Sequence, residues 1–283
     1  MRALAEYVMR GRIQALWVAV LAAVTGLLSW LSAAIIALVV LRKGIAEGSY
    51  ILMWAILPAG TLLYLGETGP LGMMFGTAIL AIVLRWTGSW SLMLMVSIAV
   101  GVLTGLLLIG LGAGYLAEIA ELFEQFIEQL QQQLSEQGEK ATLQAPGVIQ
   151  IAGLLGLMGG VSSVLCLMLA RWWQALLYNP EGFGLEFRAI RLSPMLTLGL
   201  VVSGIALSSL GVEYRPWGML FALPLVVASF ALVHWGVKHK QVPSHWLFTL
   251  YMLWLFFDVV KAGLLLLAVV DSWLDFRSRS RNQ

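Results

Sequence analysis

The polar and apolar positions of this chain fall into long apolar blocks separated by short polar breaks, not into an alternation. The blocks cover 14–41, 50–65, 71–85, 90–114, 148–177, 194–210, 217–235 and 246–270. Continuous apolar runs read as membrane helices, because a helix satisfies its own backbone in hydrocarbon, whereas a barrel strand alternates between lipid and lumen. Turn chemistry divides the blocks at Gly66-Glu67-Thr68-Gly69-Pro70, Thr87-Gly88-Ser89 and Val242-Pro243-Ser244. The pattern predicts an all-α, polytopic transmembrane helical bundle with about eight or nine membrane segments, forming a single integral membrane domain over 1–283.

The first block holds 28 residues, 14–41. As one helix it would be ~42 Å long at ~1.5 Å per residue, against a ~30 Å hydrocarbon core. It either tilts or breaks near Ser29-Trp30-Leu31-Ser32 into a hairpin. Basic residues favour the cytoplasmic side of a membrane. A single helix divides them evenly; a break places eleven inside, from Arg2 to Lys240, and leaves Lys140, Arg215, Arg277, Arg279 and Arg281 outside. The broken hairpin is therefore the expectation, with the N-terminus cytoplasmic. A second bend near Asp258 would return the Arg-rich tail to the cytoplasm.

Residues 115–140 depart from the apolar pattern and predict an extramembrane acidic amphipathic helix continuing a transmembrane one. Ile119, Phe123, Phe126 and Leu130 recur at three- and four-residue steps, with Glu118, Glu121, Glu124 and Glu128 on the other side. An interfacial anchor meets anionic lipid with lysine or arginine, and 115–137 contains neither. Its apolar stripe is expected to pack on protein: on its own bundle, on a second copy, or on a membrane protein partner.

Glycines recur four apart at Gly101 and Gly105, Gly156 and Gly160, and Gly199 stands four from Ser203. Such spacing lets helix backbones approach in lipid. Asp258 and Lys261 lie one turn apart in the last block, near Trp254. Ionisable groups at bilayer depth are costly and point to function. The pair is a structural salt bridge, a water-filled kink, or, with Trp254, the lining of a site for a small-molecule ligand. Arg171, Trp172 and Trp173 close another block and fit an interfacial aromatic belt.

Composition narrows the function. The chain is 60% hydrophobic and 11% charged, well below the ~25% charge of soluble domains, so the lipid bilayer is its first partner. A net charge of +2 without a basic patch gives no grip on nucleic acid. The single cysteine, Cys166, excludes a disulfide within the chain and a cysteine metal site, and three scattered histidines offer no zinc set. With no HExxH motif, no second membrane aspartate and no P-loop, no catalytic residue, metal or cofactor is expected, and the chain is read as a non-enzyme without its own ATPase.

The order of elements resembles the YybS-like family of uncharacterised polytopic bacterial membrane proteins. The likeness is carried by the glycine-rich N-terminal spans, the long amphipathic insertion, Ala-Arg-Trp-Trp-Gln-Ala-Leu-Leu-Tyr-Asn-Pro-Glu-Gly-Phe at 170–183 and Val-Val-Asp-Ser-Trp-Leu-Asp-Phe-Arg at 269–277. That family is distantly similar to the substrate-binding membrane subunits of energy-coupling-factor transporters. In those subunits an Ala-x-x-x-Ala face of the first helix docks the coupling subunit, and Ala15, Ala19 and Ala23 match it here. The resemblance implies a multi-pass protein of the bacterial cytoplasmic membrane that binds or helps transport a small solute. The alternative is an envelope scaffold, a homo-oligomer or partner-bound protein that uses the acidic helix.

Overall fold

The computed structural model describes residues 1–64, 68–137, 143–243 and 245–279. Gly66, Glu67, Lys140, Ser244 and Arg281 lie outside them, as do the last three positions of the expected 115–140 helix. Among the described residues the regular elements are all helical: α1 (Arg2–Arg10), α2 (Arg12–Val24), α3 (Ser29–Lys43), α4 (Ile45–Tyr64), α5 (Gly69–Thr87), α6 (Trp90–Leu111), α7 (Ala113–Glu136), α8 (Val148–Tyr178), α9 (Gly182–Ala189), α10 (Pro194–Ser209), α11 (Arg215–His239), α12 (His245–Phe256), α13 (Asp258–Leu274) and α14 (Phe276–Arg279).

Among the described residues five segments are long and apolar enough to cross a membrane: those of α4, α5, α6, α8 and α11. The number rises to seven if the bent pairs α9–α10 and α12–α13 each count as one span. This is fewer than the eight or nine expected from hydropathy. Apolar length counts material for a span but does not register a break: bends of 71° and 114° divide these two pairs, and the first block is split into helices of 13 and 15 residues, each too short for a span.

The first block is two helices. Thr25 closes α2: its hydroxyl donates to the Ala22 carbonyl and accepts from the Leu28 amide. Gly26 follows at φ +61, the left-handed conformation that stops a helix. Arg12, at the start of α2, pairs with Glu47 and lies over the Tyr50 ring, both just beyond the end of α3. The two helices therefore fold back on each other as a hairpin, and neither is long enough to cross alone. Ala15, Ala19 and Ala23 are buried in this packing. The alanine face that the transporter resemblance assigns to a coupling partner is occupied by the chain's own helices.

One end of the bundle is basic. Arg85, in the last turn of α5, donates to the carbonyls of Val40 and Leu41 at the end of α3. Arg171 of α8 holds both carboxylate oxygens of Glu186 of α9 with its Nε and Nη2, and the Trp90 indole of α6 donates to the same carboxylate. Arg191 reaches Asp275 at 2.8 Å and the Ser272 carbonyl at 2.9 Å, while Arg277 donates to the Ile190 carbonyl. Burial lowers the Arg277 guanidinium from its ordinary pKa, and the neighbouring Asp271 partly offsets this. These bonds bring the start of the C-terminal tail to the end that carries Arg171 and Arg191, by way of the bend at Phe257. The opposite end carries the acidic helix α7 and the turn around Glu213, beside Gly147.

The core is held by small residues. An added Cβ at Gly156 of α8 would lie 2.5 Å from the Gly101 carbonyl oxygen, and one at Gly101 of α6 would lie 2.9 Å from that of Gly156. Gly105 faces the Ala152 carbonyl and the ring of Trp217, whose indole N–H donates to the Ile149 carbonyl at 3.0 Å. Gly160 packs against Ser97 and Leu220. The pair Gly199 and Ser203 does not serve in this way: Gly199 faces open space, and the contact with α11 is made by Gly204 against Gly218.

Candidate functional site: an uncharged cleft

A cleft of about 1200 Å³ opens among α5, α6, α8 and the tip of the α2–α3 hairpin. Its roof is the turn Thr25, Gly26, Leu27 with Ser29. The N-terminal half of α5 supplies Leu71, Gly72, Met73, Phe75 and Gly76, α6 supplies Val100 to Leu111, and α8 supplies Leu155, Met158, Gly159 and Ser162. Glycine makes the space. A Cβ on Gly72 or Gly159 would meet only the Thr104 side chain, at 3.6 and 3.4 Å. The hairpin fold also contributes, because a straight helix over 14–41 would carry no turn to cap the cleft.

Among the described residues no Asp, Glu, Lys, Arg or His lines the cleft. Polar atoms come from Thr25, Ser29, Thr68, Thr104, Ser162 and Tyr115. The hydroxyls of Thr25 and Thr104 are already donated to backbone carbonyls of their own helices. Behind the floor, Cys166 is buried with its sulfur 3.8 Å from that of Met73, and the fully buried Ser163 hydroxyl, next to Gly76, has no hydrogen-bond partner. Among the described residues no cluster of three or more His, Cys, Asp or Glu could hold a metal ion. The cleft can therefore shelter an apolar body and offer it a few hydroxyls. It offers no charge to recognise an ionised group.

Asp258, Lys261 and Trp254 stand elsewhere. Lys261 donates to Asp258 at 2.7 Å, and the Asp258 side chain is 94% exposed, on the outside of the bundle. Trp254 stacks edge-on against Phe230 of α11, with ring centroids 5.4 Å apart. The pair sits where α12 ends and α13 begins, at the extended residue Phe257. These three residues do not line the cleft.

The 170–178 stretch divides between two environments. Trp172 is 39% exposed, as an interfacial residue would be, but Trp173 is fully buried. It shares the inward stripe of α8 with Cys166, Leu167 and Ala170, so three-residue spacing, not proximity to a helix end, sets its place. Arg171 is committed to Glu186 and Gln174 rather than free for head groups.

The acidic helix α7 packs on the bundle at its root, and farther along Gln131 donates to the Leu143 carbonyl. Leu116 is buried, and Ile119 and Ala120 pack beside Leu108 and Ile151. Beyond them Phe123 and Phe126 are 40% and 59% exposed and Leu130 is half-buried, so the helix does not lie across its own bundle. Phe123 lines a smaller recess of about 630 Å³ with Pro146, Leu210 and Glu213.

The cleft was not legible in the sequence as a site. It is assembled from five separate stretches, whose polar members are hydroxyl residues and whose space is made by glycine, and both types occur throughout the chain. No family model, curated protein or solved structure matches the chain.

Proposed function

We propose that this multi-pass membrane protein captures a small, uncharged solute in the cleft between α5, α6 and α8. It does so without an energy source of its own, and another component drives any transport. The observation that carries this reading is a cleft of about 1200 Å³ with no Asp, Glu, Lys, Arg or His among its described lining residues. Ligand sites are typically apolar concavities of ~300–1,000 Å³ with a few oriented polar groups, and this cleft is somewhat larger than that. As the resemblance to YybS-like proteins implies, the setting is the bacterial cytoplasmic membrane. The cluster of Arg85, Arg171, Arg191 and Arg277 at one end supports a cytoplasmic orientation for that end and for the N-terminus.

The test is extraction in mild detergent followed by identification of retained small molecules, with the double variant Gly72→Leu, Gly159→Leu as control. The reading predicts a retained molecule in the natural protein that the filled variant lacks. Equal retention of every species by both proteins refutes it.

A second reading has its own observation. Leu122, Phe123 and Phe126 of α7 are exposed above the acidic end of the bundle, and a scaffold would use them to engage another protein. Deleting the exposed part of α7 separates the two: capture survives the deletion, whereas a scaffold loses its partner.

A further inference from the structure

We infer that the occupant of the cleft is a membrane lipid, held by one apolar chain that enters sideways from the bilayer. This rests on the reading of the cleft as a solute site and specifies what enters it: the uncharged hydrocarbon chain of a lipid whose head group stays at the rim.

Three observations converge on it. The first is depth. The cleft follows α6 from Gly112 down to Val100, about 18 Å of helix at ~1.5 Å per residue. Along α5 it runs from Thr68 to Gly76, about 12 Å on the same measure. One leaflet of a ~30 Å hydrocarbon core is ~15 Å deep, so the cleft reaches from the helix ends to about the bilayer midplane. The second is its side walls. Leu103 and Leu107 of α6, Phe75 of α5 and Met158 of α8 line the cleft and are 55%, 57%, 40% and 64% exposed, so its apolar walls are open and not sealed within the bundle. An open apolar wall on membrane-length helices gives a hydrocarbon chain a way in. The third is chemistry. An ionised solute crossing into this cleft would find no counter-charge among the described lining residues, and burying a charge unpaired is prohibitive. A hydrocarbon chain needs none. The rim at the helix ends, Thr68, Gly69, Gly112, Gly114 and Tyr115, offers hydroxyls and accessible backbone where a head group would sit.

The experiment uses the full-length protein in nanodiscs of phosphatidylethanolamine and phosphatidylglycerol, doped with a phospholipid carrying a diazirine at the end of one acyl chain. After illumination, labelled residues are mapped by mass spectrometry. The expected result is severalfold more label on Gly76, Val100, Thr104 and Ser162 than on the lipid-facing surface of α10, represented by Met195, Leu198 and Ile205. That excess should disappear in Gly72→Leu and in Gly72→Leu, Gly159→Leu. Gly72→Leu alone serves as the milder variant, and the excess is scored only in protein that elutes as a single species. Label spread evenly over cleft and α10, or unchanged by filling the cleft, overturns the lipid assignment. Its failure is distinguishable from failure of the solute reading. If extraction still yields a non-lipid molecule that the filled variant lacks, capture stands and only the lipid is wrong. If no retained species depends on the cleft, both fall.

Discussion

Glycines of α8 face two neighbours that use them in opposite ways. On the seam with α6, Gly156 lies so close to Gly101 that an added Cβ would be 2.5 Å from a carbonyl oxygen. On the cleft side, Gly159 has only the Thr104 methyl at 3.4 Å before it, and Gly72 across the cleft meets the same side chain at 3.6 Å. In the seam the missing side chain allows backbones to touch, which supplies packing energy where lipid offers no hydrophobic drive. In the cleft it leaves room. One residue type therefore marks both the tightest and the emptiest parts of the bundle, and only the neighbouring helix distinguishes them.

The two uses predict different responses to substitution. The largest loss is expected where a bulky side chain locks the seam. Trp217, 8% exposed, fills the space over Gly105 and Gly153 and donates to the Ile149 carbonyl. Trp217→Ala should cost about 3–5 kcal/mol, read as a large drop in Tm of the detergent-extracted protein; an unchanged Tm would show that the seam does not hold the bundle. Gly156→Ala overfills the seam and should cost about 1–3 kcal/mol by the same measurement. A neutral outcome would mean the helices part more easily than the 2.5 Å approach implies.

The cleft should behave otherwise. Gly72→Leu adds bulk to open space, so its effect on stability is expected to stay within about 1 kcal/mol while retained solute is lost. A strong destabilisation would move Gly72 into the same class as Gly156. The smallest effect belongs to the exposed stripe of α7. Phe126→Ser should change the stability of the bundle by no more than about 0.5 kcal/mol, because the side chain is 59% exposed; a larger loss would reveal a contact that supports the bundle.

Much of the seam could be read from the sequence. Gly101, Gly105, Gly156 and Gly160 were expected at helix contacts from their four-residue spacing, and all four make them. The break of the first block was also legible, because 28 apolar residues exceed the bilayer and the basic residues divide better with a hairpin. The break falls at Thr25–Leu28, just before the expected Ser29, where Gly26 can adopt a positive φ. The outlying helix α7 was placed by its charge pattern, but its exposure required knowing that Leu116 is buried while Phe123 and Phe126 are not.

Other features were not legible, for identifiable reasons. Trp173 lies beside Trp172 near a helix end and fits an aromatic belt by position, yet the stripe Cys166, Ala170, Trp173 turns it inward. Gly199 has the spacing of a packing glycine, but α10 presents Gly204 to α11 instead. Spacing identifies a possible contact face without saying which face meets a neighbour. The cleft is the extreme case, since its walls are shared by residues 25–29, Leu63, 68–76, 100–115 and 155–162. A pattern along the chain cannot report an absence of atoms between five segments of it.

The most direct test of the account is native mass spectrometry of the protein released from nanodiscs, compared with the Gly72→Leu, Gly159→Leu variant at matched Tm. The account predicts one small-molecule adduct per chain on the natural protein and none on the variant. An adduct present on both, or on neither, would contradict the assignment of the cleft as the binding site.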